Sequence, residues 1–169
     1  MADFNHPAVT VGTCQDAALA MILVRRGMAA AASRALQGQC GLALPPPSRL
    51  SLTETDTVLW NGPDRFLAVR LAGGARLAEQ FGTILDGLAY VADASSSRVV
   101  FSVTGDAAAG WLNRLLAIDL HPRAFAVGSV ALTIAAHVPI QIWRPDDASF
   151  WLACPSSLAA GFSGALKAD

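Results

Sequence analysis

The chain has 169 residues, of which 53% are hydrophobic and 15% charged, and its formal net charge is −1. Ordinary soluble domains carry about 25% charged residues, so this surface is poor in charge. The near-zero net charge argues against a nucleic-acid-binding protein, and no apolar run reaches the roughly 20 residues of a membrane-spanning helix. Two explanations stay open: a subunit with buried interfaces, or an alanine-rich chain whose alanines inflate the apolar count.

The N-terminus and the cysteines indicate a compartment. Asp3 near the N-terminus and the lack of a basic leader argue against a secretory signal peptide. Cys14, Cys40 and Cys154 are odd in number and lack the spacing of metal ligands, which predicts free thiols. Together these features predict a cytoplasmic protein.

The first forty residues predict an arm, a strand and a helix. Residues 1–16 are polar and turn-rich, so we expect a flexible or partner-bound arm there. The apolar run at residues 19–25 predicts a buried strand, with a helix starting at Asp16 as the alternative. Alanines and a leucine share one face of residues 28–36, which predicts a helix.

Three prolines at residues 45–47 can belong neither to a helix nor to a central strand. We expect the seam between two fused halves at residues 44–50, within a single domain spanning residues 1–169. Short elements follow the seam. Residues 51–60 are expected to hold a strand or a bent pair around Thr55-Asp56. Further strands are expected at residues 66–71, 90–93, 98–104, 130–135, 138–143 and 149–154, and helices at residues 77–88, 108–116 and 158–166.

Hairpins of consecutive strands mixed with helices predict an α+β fold rather than an alternating parallel sheet. The second half partly repeats the first as strand, helix and hairpin strands. This repeat predicts duplicated β-α-β-β subdomains with antiparallel or mixed sheets. Leu112 lies in the middle of the apolar stripe of the helix at residues 108–116, so we expect it to be buried.

Four short motifs follow one another from about Val58 onward. A Gly-Pro-Asp turn separates two strands, and an Asp-Ala-Ser segment leads to an arginine. A Gly-Asp turn then opens a helix, and an Ile-Asp-Leu-His-Pro run continues to a phenylalanine and a glycine. The residues of these motifs are Gly62, Pro63, Asp64, Asp93, Arg98, Gly105, Asp119, Leu120, His121, Phe125 and Gly128.

In order and spacing, these motifs resemble the gamma subunit of heterotetrameric sarcosine oxidase, within the glycine-cleavage T-protein/YgfZ-like superfamily. The resemblance implies the fold of the N-terminal folate-binding domain of the T-protein. It also implies a non-catalytic, structural subunit that packs against the alpha and beta subunits. Those subunits would carry FAD, FMN, NAD and the tetrahydrofolate site, and this chain would carry no cofactor. The family oxidises sarcosine to glycine and passes the methyl carbon to tetrahydrofolate.

The residues themselves form no recognisable catalytic or metal-binding pattern. Two glycines at residues 105 and 110 have the gap of a phosphate-binding loop, but Trp111 and Leu112 replace the Lys-Ser/Thr pair. Asp93 and Asp119 could be general bases, although turn formation suits both better. Two further functions stay open: a stand-alone tetrahydrofolate-binding or aminomethyl-transfer protein of the same superfamily, and a generic scaffold protein.

Two tryptophans mark a possible partner interface. If residues 144–148 form a hairpin loop, Trp143 lies opposite Ser149, and Ile142 lies beside Phe150 on an aliphatic face. The other face then holds an amide and the two tryptophans, Trp143 and Trp151. This face is predicted to be either an anchor for a partner or a part of the core covered by a helix.

Overall fold

The computed structural model describes residues 4–6, 8–73 and 76–168, with side chains from residue 8 onward. Within these residues the fold is α+β, as predicted, and none of its helices is long and apolar enough to cross a bilayer. The strands are β1 (Phe4–His6), β2 (Val9–Cys14), β3 (Ala18–Val24), β4 (Leu50–Leu52), β5 (Asp56–Trp60), β6 (Arg65–Arg70), β7 (Ala89–Asp93), β8 (Arg98–Thr104), β9 (Val130–Ala135), β10 (Val138–Trp143) and β11 (Ser149–Pro155). The helices are α1 (Ala29–Cys40), α2 (Leu77–Ile84), α3 (Ala108–Asn113) and α4 (Ala159–Lys167).

The chain forms two compact units. The continuous unit comprises Asp16–Ser96, and the split unit combines Met1–Gln15 with Ser97–Asp169. The predicted seam at residues 44–50 coincides with neither boundary, because it lies inside the continuous unit between α1 and β4. Prolines stiffen this connection, but Leu42 before it and Pro45 within it are buried, so it is packed within one unit instead of separating two.

The continuous unit is a five-stranded sheet in the order β4-β5-β6-β3-β7, and each neighbouring pair is antiparallel. One face of β3 packs against helices, since Ile22, Leu36 of α1 and Phe81 of α2 are fully buried in one cluster. Removing such side chains from water stabilises a fold by about 25 cal/mol per Å² of apolar surface.

A buried ion pair joins three elements of the continuous unit. Asp56 on β5 is only 4% exposed. Arg70 on β6 donates to both of its carboxylate oxygens, from Nε at 2.6 Å and from Nη2 at 2.8 Å. Nη2 also donates to Oε1 of Gln80 on α2 at 3.0 Å. The hydrogen bond to Asp56 raises the pKa of Arg70. Bidentate geometry of this kind makes the pair both strong and directional.

The split unit is a six-stranded sheet in the order β1-β2-β8-β11-β10-β9, again with antiparallel neighbours. It packs against α3 and α4, where Leu112 is 0% exposed as predicted. Helix α3 ends at Asn113, earlier than the predicted residue 116. The Trp111 ring N–H donates to the backbone oxygen of Leu166 at 3.1 Å and so ties α3 to α4.

The N-terminal segment is an integral strand instead of a flexible arm. β2 pairs with β8 along its length, and Val9 and Val11 are 2% and 1% exposed in the core. The arm prediction for residues 1–16 is therefore wrong over residues 9–14, while residues 1–3 and 7 lie outside the described part. Thr10 and Gly12 make the segment look like a loop. They alternate with the buried Val9 and Val11, and this alternation is the pattern of a strand with one apolar face.

The two units repeat one arrangement. β3-α1-β4-β5-β6-α2 in the continuous unit corresponds to β8-α3-β9-β10-β11-α4 in the split unit, and the strands of each sheet follow the same order. The predicted duplication is thus present. The difference is the strand beside β3 or β8. In the continuous unit it is β7, which follows α2, whereas in the split unit it is β2, from before the first repeat.

Candidate functional site

The most elaborate motif segment is the 119–128 loop of the split unit, defined as residues 119–128 between α3 and β9. Its polar side chains hold backbone atoms of the same loop. Asp119 Oδ1 accepts the backbone N–H of His121 at 2.8 Å. Nδ1 of His121 accepts the backbone N–H of Arg123 at 3.2 Å. These are the short-range turn bonds typical of aspartate and similar residues, so both polar groups act in building the turn.

Two apolar residues anchor the 119–128 loop. Leu120 is 0% exposed, and its backbone N–H donates to Oδ1 of Asn113 on α3 at 3.2 Å. Phe125 is buried and stacks on Phe150 of β11 with ring centroids 6.4 Å apart. Leu120 and Phe125 therefore hold the loop at two points. Asp119 and His121, which flank Leu120, are exposed.

Arg144 directly follows β10 and binds the 119–128 loop, and none of the sequence motifs includes it. Its side chain is buried, and its guanidinium donates to the backbone oxygens of Phe125 at 3.0 Å, Asp146 at 3.2 Å and Asp147 at 2.9 Å. Its own backbone oxygen accepts the N–H of Gly128 at 2.7 Å. A carboxylate of Asp147 lies 3.7 Å away but is almost fully exposed, so the carbonyls do most of the binding.

Only one signal in the sequence could have pointed to Arg144. An arginine directly between a strand and a Pro-Asp-Asp turn has a long side chain that can reach the carbonyls of the turn, as Arg144 does at Asp146 and Asp147. The same geometry is open to any arginine beside a turn. The burial of Arg144 depends on the 119–128 loop folding over it, and no local sequence pattern predicts this contact.

The Asp93–Ser95 motif builds a junction in the continuous unit. Asp93 Oδ1 accepts the Ser95 hydroxyl at 2.6 Å and the Ser95 backbone N–H at 2.9 Å. The Ser95 hydroxyl oxygen accepts the N–H of Leu19 at 3.0 Å. These bonds to the Ser95 hydroxyl and amide lower the pKa of Asp93. The carboxylate is thus occupied as an acceptor, and it ends β7 beside β3.

Two motif glycines have backbone roles. Gly62 has a φ of 122° in the hairpin between β5 and β6, where Asp64 also has a positive φ of 55°. Gly105 follows β8 with a φ of 118°, and a Cβ added there would lie 2.5 Å from the backbone oxygen of Ala8. Glycine is therefore required at position 105 by both conformation and space. Pro63 between the two turn residues is exposed, as is usual in a hairpin.

Arg98 begins β8, opposite Pro155 of β11. Burial lowers the pKa of Arg98. Burial also raises the pKa of the neighbouring Cys154 thiol to about 11, against the opposing effect of Arg98. Cys154 is therefore a neutral thiol at neutral pH, and a thiolate is the form that reacts.

The predicted faces of the β10–β11 hairpin are confirmed, but its register is shifted by two residues. Trp143 lies opposite Trp151 and Ile142 opposite Leu152. The faces survive because side chains alternate with a period of two. Residues 144–150 therefore separate the two paired tryptophans of the hairpin. Arg144 still bonds toward β9, its N–H donating to the Ser129 oxygen at 3.0 Å.

Trp143 is 1% exposed, which agrees with the second of the two interpretations of this face, a covered part of the core, and not with an exposed partner anchor. Trp151 is half-buried, and the two rings stack 6.5 Å apart at 18°. A buried tryptophan of this size serves mainly to fill space within the chain.

The motif residues are divided between the two units. Those of the first two motifs up to Asp93 belong to the continuous unit, and those from Arg98 onward belong to the split unit. No group of three or more His, Cys, Asp and Glu side chains is arranged to hold a metal ion within residues 8–73 and 76–168. The motif residues from Asp119 to Gly128 lie in the 119–128 loop, and their polar groups are used in hydrogen bonds that build this loop.

Three comparisons relate the chain to known proteins. No established family profile matches it. It is 37% identical over 99 residues to the sarcosine oxidase gamma subunit of Corynebacterium sp. (strain P-1), covering 59% of this chain and 49% of that protein. It is 33% identical over 131 residues to the gamma subunit of Arthrobacter sp., covering 76% and 64%. The chain thus spans about half to two thirds of the length of these relatives.

Solved structures give the same relation. A chain of the heterotetrameric sarcosine oxidase from Corynebacterium sp. U-96, solved with pyrrole 2-carboxylate, matches with a TM-score of 0.84 and 25% identity, covering 98% of this chain and 85% of that one. The glycine cleavage aminomethyltransferase T from Bartonella henselae matches with a TM-score of 0.68 and 18% identity, covering 96% and 46%. The chain is therefore a homologue of the sarcosine oxidase gamma subunits, with a fold shared with the glycine-cleavage T-protein, as its motifs predicted.

Proposed function

We propose that the chain is a non-catalytic, structural subunit of a heterotetrameric sarcosine oxidase-like flavoenzyme, in which it associates with alpha and beta subunits. The complex converts sarcosine to glycine by oxidative demethylation and passes the methyl carbon to tetrahydrofolate. The similarity to two gamma subunits and to a chain of the solved heterotetramer supports this proposal. We place the complex in the cytoplasm.

The structural role is supported by the hydrogen bonds that the polar side chains of the motifs accept. Asp93, Asp119 and His121 accept hydrogen bonds from backbone N–H groups two residues further along the chain. A general base must instead reach a proton on a substrate. Groups already occupied within turns support the interpretation that the motifs shape a surface.

The cofactors then belong to the other subunits. FAD, FMN, NAD and tetrahydrofolate are bound by the alpha and beta subunits in this proposal, and this chain binds none of them. Purified alone, it should show no flavin absorbance and no sarcosine-dependent peroxide. A stoichiometric flavin spectrum in the isolated chain would contradict the proposal.

A second candidate is a tetrahydrofolate-binding or aminomethyl-transfer protein, favoured by the fold that the chain shares with the aminomethyltransferase T. Titration of the isolated chain with tetrahydrofolate, followed by calorimetry, separates the two functions. The subunit proposal expects no heat of binding, while saturable binding at one site per chain would favour the alternative.

Affinity purification from the native host tests the subunit role directly. A tagged chain expressed at its natural level should retain two larger polypeptides in fixed stoichiometry. The eluate should absorb as a flavoprotein and oxidise sarcosine with release of peroxide. Retention of unrelated proteins in variable amounts, without flavin, would instead favour a generic scaffold.

A further inference from the structure

The duplicated fold contains one unequal sheet edge. In the split unit, β2 occupies the place beside β8, and β1 pairs beyond it from Phe4 opposite Val11 to His6 opposite Val9. In the continuous unit, β7 occupies the corresponding place beside β3, and no described strand pairs beyond it. The continuous unit therefore has an open edge at the position where its counterpart carries a sixth strand.

The hydrogen-bonding pattern shows which backbone groups this edge presents. The N–H of Arg25 donates to the oxygen of Leu88, and the N–H of Ala94 donates to the oxygen of Leu19. In an antiparallel ladder the groups facing a given neighbour recur at every second residue. Residues 88, 90, 92 and 94 thus face β3, so the N–H groups of Val91 and Asp93 point away from the sheet. Exposed edges of this kind are templates for another strand.

The edge lacks the usual protection against pairing. Natural edge strands carry lysine, proline or a bulge that prevents addition of another chain. β7 reads Ala-Tyr-Val-Ala-Asp, and its partners on β3 run without interruption from Ala20 opposite Asp93 to Val24 opposite Ala89. The strand is therefore regular, uncharged over four residues and free of proline.

The side chains beside the edge form a basic and aromatic row. Arg65, Leu23 and Tyr90 are direct neighbours across β6, β3 and β7. Tyr90 is 62% exposed and Leu23 43% exposed, and the Arg25 guanidinium lies 4.7 Å from the centre of the Tyr90 ring. Neither Arg25 nor Arg65 forms an ion pair with any carboxylate in the described part of the chain.

We propose that the outer edge of β7 receives an extended segment of a larger partner subunit as a sixth strand. Tyr90 contacts an apolar side chain of that segment, and Arg25, whose guanidinium lies over the Tyr90 ring, binds one of its carboxylates. The inference rests on the proposed subunit role. A second copy of this chain fits less well, because it would bring the same arginines together without new acids on that face; the Asp93 carboxylate is held by Ser95. Strand addition of this type takes affinity from backbone bonds and specificity from side chains.

Hydrogen exchange on the purified complex and on the isolated chain tests the edge directly. The amides of Val91 and Asp93 should exchange at least about tenfold more slowly in the complex, because a bonded amide exchanges only after opening. Residues 130–135 of β9, the edge strand of the other sheet, should change little. A complex that assembles with unchanged exchange at residues 89–93 overturns the inference and leaves the subunit role standing. Absence of any complex overturns both.

Val91→Pro removes the outward N–H while leaving the ladder to β3 intact, since proline is tolerated at the outward position of an edge strand. The variant should keep its thermal midpoint and lose at least about tenfold in retained partner. Leu132→Pro is the matched control, because the N–H of Leu132 points outward on β9 by the same alternation. It should retain the partner fully, and equal losses from both variants would overturn the inference.

Arg25→Glu provides a test that does not depend on tolerance of proline, and Arg65→Glu is its matched control because Arg65 lies on β6, two strands away from β7. Both side chains are exposed, so folding should be unaffected, while only Arg25→Glu should lower retention of the partner and its dependence on salt. Full retention by Arg25→Glu with unchanged salt dependence would overturn the inference. Sedimentation of the isolated chain completes the test, since a concentration-dependent dimer with protected residues 89–93 would identify a second copy as the occupant and overturn the inference.

Discussion

The two units build the same arrangement of strands and helices with different stabilising devices. The continuous unit takes all five strands from one stretch of chain and joins β5, β6 and α2 through the Asp56–Arg70 ion pair. The split unit borrows β2 from before the first repeat and holds its long loop with Arg144, bound mainly to carbonyls. Duplicated sequences thus need only the same pattern of apolar faces to fold alike. The polar anchors are free to diverge.

The largest expected effect tests the borrowed strand. Deletion of residues 1–14 removes β2 and with it the buried Val9 and Val11. The split unit should lose its cooperative thermal transition, because an internal strand and two core side chains are missing. Calorimetry of the deleted and full chains measures this. A midpoint within about 3 °C of the full chain would restore the flexible-arm interpretation.

The polar anchors should also be costly to remove. Arg70→Met leaves a buried carboxylate without its partner, and we expect a loss of about 3–5 kcal/mol in the free energy of unfolding. Arg144→Met leaves carbonyls without donors, for which we expect about 2–3 kcal/mol, since exposed turn carbonyls can bind water. Urea unfolding of both variants gives the difference. Equal losses in the free energy of unfolding would show that the buried Asp56 carboxylate does not make Arg70 more important for stability than Arg144.

The helices of the two repeats offer a matched pair of core truncations. Leu112 on α3 and Leu36 on α1 are both 0% exposed. Each change to alanine should cost about 2–5 kcal/mol, because both leave a cavity under a helix. A loss below about 1 kcal/mol for Leu112→Ala would mean that the short helix α3 covers the core less tightly than the longer α1.

Gly105 tests the turn that joins β8 to α3. Gly105→Ala forces a Cβ against the Ala8 oxygen at a positive φ, and we expect a loss of about 1–3 kcal/mol. Gly110→Ala is the control within α3, where an added Cβ meets nothing within 4 Å. That change should stabilise the protein by about 0.5–1 kcal/mol, as helical glycines are unfavourable. Similar destabilisation by both would point to helix α3 and not to the turn.

The smallest effects are in pH dependence, one from each unit. In the split unit the folded pKa of Cys154 is raised to about 11, above an unfolded value of about 8.5. Its contribution to stability is therefore complete below about pH 8.5 and is lost as pH rises toward 11. Cys154→Ala should flatten this alkaline decline in urea unfolding midpoints. An unchanged decline would assign it to other groups.

In the continuous unit the sign is opposite. The Ser95 hydroxyl and amide lower the folded pKa of Asp93, so its contribution is present above its unfolded pKa of about 3.9. It is lost as pH falls through the lower folded value. Asp93→Asn should therefore reduce the acid dependence of the unfolding midpoint between neutral pH and pH 3. A variant with the wild-type acid limb would contradict this origin.

Local patterns in the sequence determined much of this protein. The alternation of apolar residues predicted most strands, and it assigned the two faces of the β10–β11 hairpin correctly although the register was shifted by two residues. Turn chemistry predicted the roles of Gly62, Asp93 and Asp119 because these residues act on backbone groups only one or two positions away. Order and spacing of the motifs led to the relationship with the gamma subunits.

Only the tertiary structure decided the features that depend on distant partners. β2 looks like a loop until it lies beside β8, and the burial of Trp143 and Arg144 depends on segments far along the chain. The unit boundaries likewise follow from which strands pair and not from the stiff prolines. Period and turn preference are properties of neighbouring residues, so a sequence displays them. Pairing and burial are properties of the assembled sheet, and they exist only once residues far apart in the chain meet.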